Sequence, residues 1–233
     1  MEHLLMDNTA IAKVIVKTLG ISDDCLTDSI SSAVKVSWYH KDNTIFKEGE
    51  HPELLYFLAN GKVKLVKNCD FGHMQIVRLI NNGSFLGHRA YFAKEYYATS
   101  AIAFEDSMVA SIPFNTVEKL MALYPDILLF FTSELAALLG KADCRTVSLT
   151  QKHIRGRLAE TILKLMDSYG LGSDGQTLSI TMSRDDLASL SNMSTSNAIR
   201  TLSSFAQEGI LAIDGKKIRI LDRAAIESVS RMG

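Results

Sequence analysis

The sequence predicts an α+β protein in which an N-terminal β jelly roll and a C-terminal winged helix-turn-helix are joined by a long helix. Three patterns support this fold class: short β-rich runs broken by turn residues before residue 113, a heptad pattern after Pro125, and two short helices followed by a hairpin near the C-terminus. The 233 residues, 47% of them hydrophobic, suffice for two modest domains. We expect a β domain over 1–124, a long helix and hinge over 125–150, and the winged domain over 151–233.

Composition indicates an ordinary soluble protein of a reducing compartment. The opening residues MEHLLMD lack a basic start followed by a long apolar run, so no signal peptide is expected, and no apolar stretch approaches the length of a membrane span. Three separated cysteines, Cys25, Cys69 and Cys144, form neither a disulfide framework nor a metal knuckle. We therefore expect a cytoplasmic protein with no membrane partner.

Charge is distributed unevenly along the chain. From Arg145 onward Lys and Arg outnumber Asp and Glu by 12 to 9, whereas up to Cys144 they are outnumbered by 17 to 13. An excess of positive charge in the C-terminal part favours contact with a polyanion there.

The β-rich region follows two short helices, one over 9–19 and one opened by a cap at Ser22-Asp23-Asp24. Turns such as Asn60-Gly61 and Asn81-Asn82-Gly83 suit positive backbone φ angles and favour hairpins. Short strands at this spacing predict a sandwich or barrel. The predicted strands are Val34–Tyr39, Thr44–Phe46, Leu54–Leu58, Lys62–Lys67, Met74–Ile80, Thr99–Ala103 and Met108–Ile112.

The long helix opens at Pro125-Asp126 and carries apolar residues at alternating spacings of three and four. Such a stripe either packs on the β domain of its own chain or forms a seam with a second copy. A helix of about 33 Å is longer than one small sandwich needs, so we expect a homodimer. The predicted dimer seam consists of Leu128, Phe131, Leu135, Leu138 and Ala142, with Arg145 and Leu149 continuing the spacing.

The C-terminal region reads as a winged helix-turn-helix. A helix over Ile154–Ser168 and a short strand over Thr177–Thr181 come first. Ser183 then caps a helix to about Leu190, and Ser194 caps a second helix to about Gln207. A hairpin over Ile210–Ile213 and Lys217–Leu221, with a tight Asp214-Gly215 turn, forms the wing before a final short helix.

Side chains within this motif fit DNA recognition. Ala188 is small where two helices must cross, and Asn192 tolerates the left-handed conformation that the turn requires. The shared core is assigned to Leu187, Leu190, Ala198, Ile199 and Leu202. The outward positions of the second helix carry short hydrogen-bonding groups and one guanidinium, which suit base edges and phosphates. The predicted DNA-binding residues are Arg184, Ser194, Thr195, Ser196, Asn197, Arg200, Lys216 and Lys217.

The chain resembles the CRP/FNR family, that of the cyclic-AMP receptor protein and the fumarate–nitrate regulator. The resemblance runs from about Leu19 to Asp222 and includes the stretches TIFKEGE from Thr44, LYFLANGKVKL from Leu55, FLG from Phe85, YPDIL from Tyr124 and IRGRLA from Ile154, together with the winged motif. It implies a cyclic-nucleotide-binding-like jelly roll, a dimerisation helix, a hinge near Val147–Gln151 and a DNA-binding domain, here called the reader. It also implies double-stranded DNA, a second copy of the chain, RNA polymerase and a small effector as partners.

The effector pocket departs from the pattern of the family's cyclic-AMP binders. His88 stands where they carry the glutamate that binds ribose, and Ala98-Thr99 or Thr99-Ser100 stands where they carry Arg-Ser for the phosphate. Without its arginine a buried phosphate loses most of its compensation, so cyclic AMP is not expected to bind. The residues assigned to the pocket are Gly87, His88, Arg89, Thr99, Ser100 and Asp143.

Other cofactors are constrained by the residues available. An iron–sulfur cluster needs four ligands, and three scattered cysteines do not supply them. A haem stays open, because it needs one or two axial ligands and His73, His88 and the cysteines are candidates. No other metal site is expected.

Three function classes remain at this point. The first is an effector-controlled transcription regulator. Its DNA target sequence is not predicted, because only the last arginine of the family's usual Arg-Glu-x-x-x-Arg, Arg200, is present in the recognition helix. The second is a ligand-binding module that acts on a protein partner. The third, a cupin-type enzyme, needs a compact His/His/carboxylate set, and the β region holds no His-x-His pair. We therefore predict that the chain is not an enzyme.

Overall fold

The computed structural model describes residues 7–21, 24–68 and 74–233. The contacts divide the chain into two compact units, one of Met1–His73 with Val77–Leu139 and the other of Met74–Ile76 with Gly140–Gly233. The predicted cap at Ser22-Asp23, together with Cys69 and His73, lies outside the described residues.

Two four-stranded antiparallel sheets form the first unit. One has the order β1-β8-β3-β6 and the other β2-β7-β4-β5. The strands are β1 (Lys35–Tyr39), β2 (Thr44–Phe46), β3 (Leu54–Asn60), β4 (Val63–Asn68), β5 (Met74–Ile80), β6 (Ser84–Leu86), β7 (Ser100–Ala103) and β8 (Ser107–Pro113). The helices are α1 (Asn8–Thr18), α2 (Asp24–Ala33), α3 (His88–Ala93), α4 (Phe114–Leu123) and α5 (Pro125–Gln151), the last of which continues into the second unit.

Two apolar cores hold this unit together. Leu58, Val63 and Ala101 lie between the sheets and are fully buried. Successive side chains of a strand point to opposite faces, so each strand contributes every second residue to this core. The second core packs α1, α2, α4 and the start of α5 against the other face of the β1-β8-β3-β6 sheet. Its centre includes Ile11 and Phe131.

The predicted strands are confirmed to within two residues at each end, and the two elements that were missed adjoin each other. Strand β6 has three residues, too few to show a period, and α3 has six. The strand predicted over Thr177–Thr181 is wrong: Thr177 and Leu178 form isolated bridges to Arg219 and Leu171, without a continuous ladder.

The second unit contains the winged helix-turn-helix. After the end of α5 it comprises α6 (Ile154–Tyr169), α7 (Arg184–Leu190), α8 (Thr195–Gln207), β9 (Leu211–Asp214), β10 (Lys217–Ile220) and α9 (Arg223–Met232). Leu158, Leu187 and Phe205 are fully buried and bring α6, α7 and α8 together. The pairing of β9 with β10 runs from Lys217↔Asp214 to Ile220↔Leu211 and closes the predicted wing.

No single helix among the described residues is both long and apolar enough to cross a membrane. The pair α4 and α5 meets that test jointly, but it is bent by 114°.

Candidate DNA-binding and effector sites

The turn between α7 and α8 has the predicted local chemistry. The Ser183 hydroxyl accepts from the Asp186 N–H at 3.0 Å, and the Ser194 hydroxyl accepts from the Asn197 N–H at 3.3 Å. Each bond satisfies a backbone donor that the first turn of a helix leaves free. Asn192 adopts φ +53°, the left-handed conformation expected for it. The serine caps and the asparagine therefore fix where each helix begins and ends.

Arg200 lies on the exposed side of α8, where its Nη2 donates to the Asn197 side-chain oxygen at 2.6 Å. Two carboxylates of this domain have other partners: Asp185 accepts from the Thr195 hydroxyl at 2.7 Å, and Glu208 forms an ion pair with Arg155. Arg200 is thus held by a neutral amide, which leaves its positive charge uncompensated by these carboxylates. Such a guanidinium suits a base edge or a phosphate.

The remaining predicted residues of the recognition helix are placed in different ways. Ser194 and Ser196 are exposed, while Thr195 and Asn197 are half-buried and engaged in the bonds just described. Ile199 was assigned to the core, and that assignment is wrong, because its side chain is 47% exposed. Ala198 and Leu202, four residues apart, face the core, and Ile199 is rotated away from them. The periodicity of α8 alone would have placed Ile199 on the outward face.

The wing contains both free and engaged cations. Lys216 and Lys217 are exposed and form no ion pair within the described part of the chain. Arg184, by contrast, donates from Nη2 to the backbone carbonyl of Gly215 at 2.6 Å. This bond joins α7 to the wing turn, and the assignment of Arg184 as a DNA contact stays a prediction.

The end of α5 is tied to α6 by a network centred on Glu160. Its carboxylate accepts from the Ser148 hydroxyl at 2.5 Å and pairs with Lys152 at 3.1 Å and Lys164 at 2.6 Å. Burial opposes the charged form, but the hydrogen bonds from Lys164, Ser148 and Lys152 outweigh it and lower the pKa of Glu160 to about 2. The network spans the break between α5 and α6 at residues 152 and 153, whereas the hinge was predicted near Val147–Gln151, a stretch that forms the end of α5.

The predicted effector residues Gly87 and His88 adjoin each other at the start of α3. Gly87 has φ +91°, and a Cβ there would lie 2.9 Å from the Leu54 carbonyl, so a close backbone approach requires glycine. His88 is 2% exposed, and neither ring nitrogen has a hydrogen-bond partner among the described residues. Burial and then the positive charge of Arg78 lower the pKa of His88 to about 4, so the imidazole is neutral near pH 7.

The other residues assigned to the pocket differ from His88 in burial and in hydrogen bonding. Arg89 is exposed and pairs with Glu95 at 3.0 Å, and its assignment to the pocket stays a prediction. Thr99 is half-buried, whereas the Ser100 hydroxyl accepts from the Glu48 N–H at 2.9 Å. Asp143 is exposed on the part of α5 that belongs to the second unit, and its role stays a prediction.

The predicted dimer seam loses one member. Phe131 is 1% exposed, and its ring lies 5.3 Å from that of Phe85 and 5.4 Å from that of His88. A side chain already buried within one protomer has no surface to offer a second, so its assignment to the seam is wrong. Among the other seam residues Leu128 is 48% exposed, Ala142 is exposed, and Leu135 and Leu138 are half-buried. Their place in the interface stays a prediction.

Comparison with known proteins identifies the two halves of the chain. Residues 36–124 match the family model of the cyclic nucleotide-binding domain, and residues 156–229 match that of the Crp-like helix-turn-helix domain. The chain belongs to the CRP/FNR family. The members of this family are DNA-binding transcription regulators rather than enzymes, and they typically form homodimers.

Similar proteins match most of the chain. The anaerobic regulatory protein of Bacillus subtilis is 27% identical over 191 residues, which is 81% of this chain and 79% of that protein. The cAMP-activated global transcriptional regulator CRP of Salmonella typhimurium is 23% identical over 77% of this chain and 86% of that protein. The solved structure of FixK2 from Bradyrhizobium japonicum has a TM-score of 0.75 at 22% identity, over 84% of this chain and 96% of that one, and shows the same fold.

Proposed function

We propose that this CRP/FNR regulator responds to an effector other than cyclic AMP, which its β domain binds next to His88. The observation that carries the proposal is the buried imidazole of His88, whose two nitrogens have no protein partner in the described chain. Buried polar groups in proteins are almost always hydrogen-bonded, so a ligand that bonds to this ring removes an unfavourable state.

Electrostatics at this position disfavour a cyclic nucleotide. At the positions where the cyclic-AMP binders carry a phosphate-binding Arg-Ser, Ala98 is exposed and apolar and Thr99 offers no charge. The charge that acts on His88 is that of Arg78, a half-buried side chain that also interacts with Glu134. A guanidinium offset by a carboxylate, beside a neutral imidazole, supplies little compensation for a buried phosphate. We therefore expect a ligand that is neutral or weakly charged.

We do not expect a metal-based cofactor at this position. The described cysteines, Cys25 and Cys144, are free and exposed, and the described residues hold no group of three or more potential metal ligands. A visible spectrum of freshly purified protein tests this expectation, and a haem band would contradict it.

DNA binding follows from the geometry of the second unit. In a homodimer the two copies of α8 would enter successive major grooves about 34 Å apart on a palindromic site. Ser196 and Arg200 would contact bases and Lys216 and Lys217 phosphates, with RNA polymerase as the protein partner at a promoter. An effector would favour one conformation of the hinge between α5 and α6 and would thereby set the spacing of the two recognition helices.

Calorimetry with cyclic AMP, on protein that shifts a selected DNA fragment in a gel, tests the proposal. We expect no measurable heat with cyclic AMP, and binding at micromolar or lower concentration would contradict it. Mass spectrometry of the native protein then searches for a retained small molecule. Failure of the protein to shift any fragment in binding-site selection would instead favour a module that acts on a protein partner.

A further inference from the structure

We propose that a pocket on the β domain, separate from His88, binds a small organic cation such as a quaternary or primary ammonium compound. The pocket is formed by Glu50, His51, Glu53, Leu54, Tyr56 and Tyr97 and has a volume of about 300 Å³. This is the lower end of the range for small-molecule sites, which suits a ligand of a few heavy atoms.

Its charge is negative and has no counterion in the described part of the chain. Glu50 and Glu53 are exposed at the pocket, and no ion pair to either is found among the described residues. The Glu50 carboxylate accepts the backbone N–H of Lys47 at 2.9 Å, a bond that fixes its position without neutralising it. Two carboxylates on one small concave surface raise the local concentration of cations.

The wall behind the carboxylates is aromatic. Tyr56 and Tyr97 are 9% and 6% exposed, and Phe46 stacks against Tyr97 with ring centroids 4.0 Å apart, so both tyrosines are fixed by packing. His51 contacts Tyr96 edge-on at 6.0 Å at the rim. Aromatic rings with nearby carboxylates are the usual surroundings of ammonium ligands in proteins, because the negative face of a ring attracts a cation.

Tyr56 supplies an independent indication of a ligand. Its side chain is more than nine-tenths buried and lines the pocket, and its hydroxyl, which is not among the fully buried unpaired polar atoms, has no hydrogen-bond partner in the described part of the chain. The Tyr97 hydroxyl, by comparison, donates to the Leu54 carbonyl at 3.4 Å. Burial, and then the charges of Tyr39, Glu50 and Glu53, raise the pKa of Tyr56 to about 12, so the hydroxyl keeps its proton. It can thus bond to a polar group of the ligand while the carboxylates face the charge.

A metal ion is a poorer fit for the same pocket. No group of three or more His, Cys, Asp or Glu side chains within the described residues is arranged to hold one. Because the pocket is aromatic on one side, it fits a cation with a hydrocarbon surface better than a hydrated ion.

Titration calorimetry with choline on the full-length protein tests the proposal, with the carbon isostere of choline, in which a tert-butyl group replaces the trimethylammonium, as the matched ligand. We expect choline to bind at least about tenfold more tightly than the isostere, and its affinity to fall with added salt. Equal affinities for the two ligands, or no binding of choline, would overturn the proposal.

Variants locate the site. Glu53→Gln should weaken choline binding about fivefold, whereas Asp28→Asn, which removes an exposed carboxylate from α2 of the same unit, should leave it unchanged. Because Glu53 is exposed, the variant keeps the fold. If Glu53→Gln has no effect, choline binds elsewhere and the assignment is wrong. If a lysine-rich peptide binds at the pocket and choline does not, the surface is a docking site for a protein partner and the small-cation proposal fails.

Discussion

Replacing Glu160 with glutamine should destabilise the second unit, because this carboxylate joins the end of α5 to α6. It accepts from Ser148 and pairs with Lys152 and Lys164. Its pKa falls from an ordinary value of 4.5 to about 2 on folding. One pKa unit corresponds to 1.36 kcal/mol, so the charged form contributes about 3 kcal/mol to the free energy of unfolding. The side chain is 19% exposed, so solvent screening lowers this value only modestly.

The sign of the pH dependence follows from the direction of this shift. A carboxylate whose folded-state pKa is lowered stabilises the fold above its unfolded value, and the contribution is lost as pH falls. For Glu160 the loss begins near its ordinary pKa of 4.5 and continues to about 2. Between neutral pH and that acid range, the free energy of unfolding of the wild type should fall by about 3 kcal/mol more than that of Glu160→Gln. The two proteins should therefore be equally stable in acid.

Urea unfolding followed by circular dichroism, at one protein concentration throughout, measures the difference. Fluorescence is unsuitable because the single tryptophan, Trp38, lies in the first unit. Asp167→Asn is the matched control, since Asp167 is an exposed carboxylate on the same helix, and its loss should change the free energy of unfolding by less than about 0.5 kcal/mol. If Glu160→Gln is as stable as this control at neutral pH, the network does not hold α5 to α6.

Three further outcomes are expected for the interface and the reader. Replacing Leu135 and Leu138 together with aspartate should convert the dimer into a monomer, since buried unpaired charges cost several kcal/mol; an unchanged dimer in ultracentrifugation would place the interface elsewhere. Arg200→Ala should reduce the binding free energy on the selected site by about 1–3 kcal/mol and relax the preference for one base. Lys216→Ala should weaken binding to all DNA sequences alike and lower the dependence of affinity on salt by about one unit of slope. If Arg200→Ala selects the wild-type consensus, Arg200 is a phosphate contact. Ile199→Ser should reduce a preference for thymine at one position, and binding-site selection that yields the wild-type consensus would exclude contact with a thymine methyl group.

Elements with a strong local signal could be predicted from the sequence. The caps Ser183 and Ser194 and the left-handed Asn192 are local backbone requirements, and the structure has each of them as expected. The strands of the β domain could be predicted for the same reason, since each strand lies between turn residues. Thr177–Thr181 failed because its residues favour strands but lack a continuous partner strand, and pairing is not a local property.

Side-chain partners were the part that the sequence did not determine. Arg89 and Arg184 look like free cations in the sequence, but one is paired with Glu95 and the other with the Gly215 carbonyl, residues that lie 6 and 31 positions away. Phe131 fits the heptad spacing as well as Leu128 does, because a helix between a core and an interface is apolar on both faces. Spacing gives the face of a helix, and tertiary contacts decide what covers it.

The same distinction explains why the reader was easier to predict than the effector. The reader's function depends on backbone geometry and on exposed side chains such as Arg200, and both can be read from the motif. The effector site depends on a buried side chain, His88, whose significance lies in the lack of a partner for either ring nitrogen within the described chain. A histidine in a sequence carries no sign of whether its neighbours will satisfy it. Its burial and its missing partners, which together motivate the search for a ligand other than cyclic AMP, emerge only when α3 packs against Phe131.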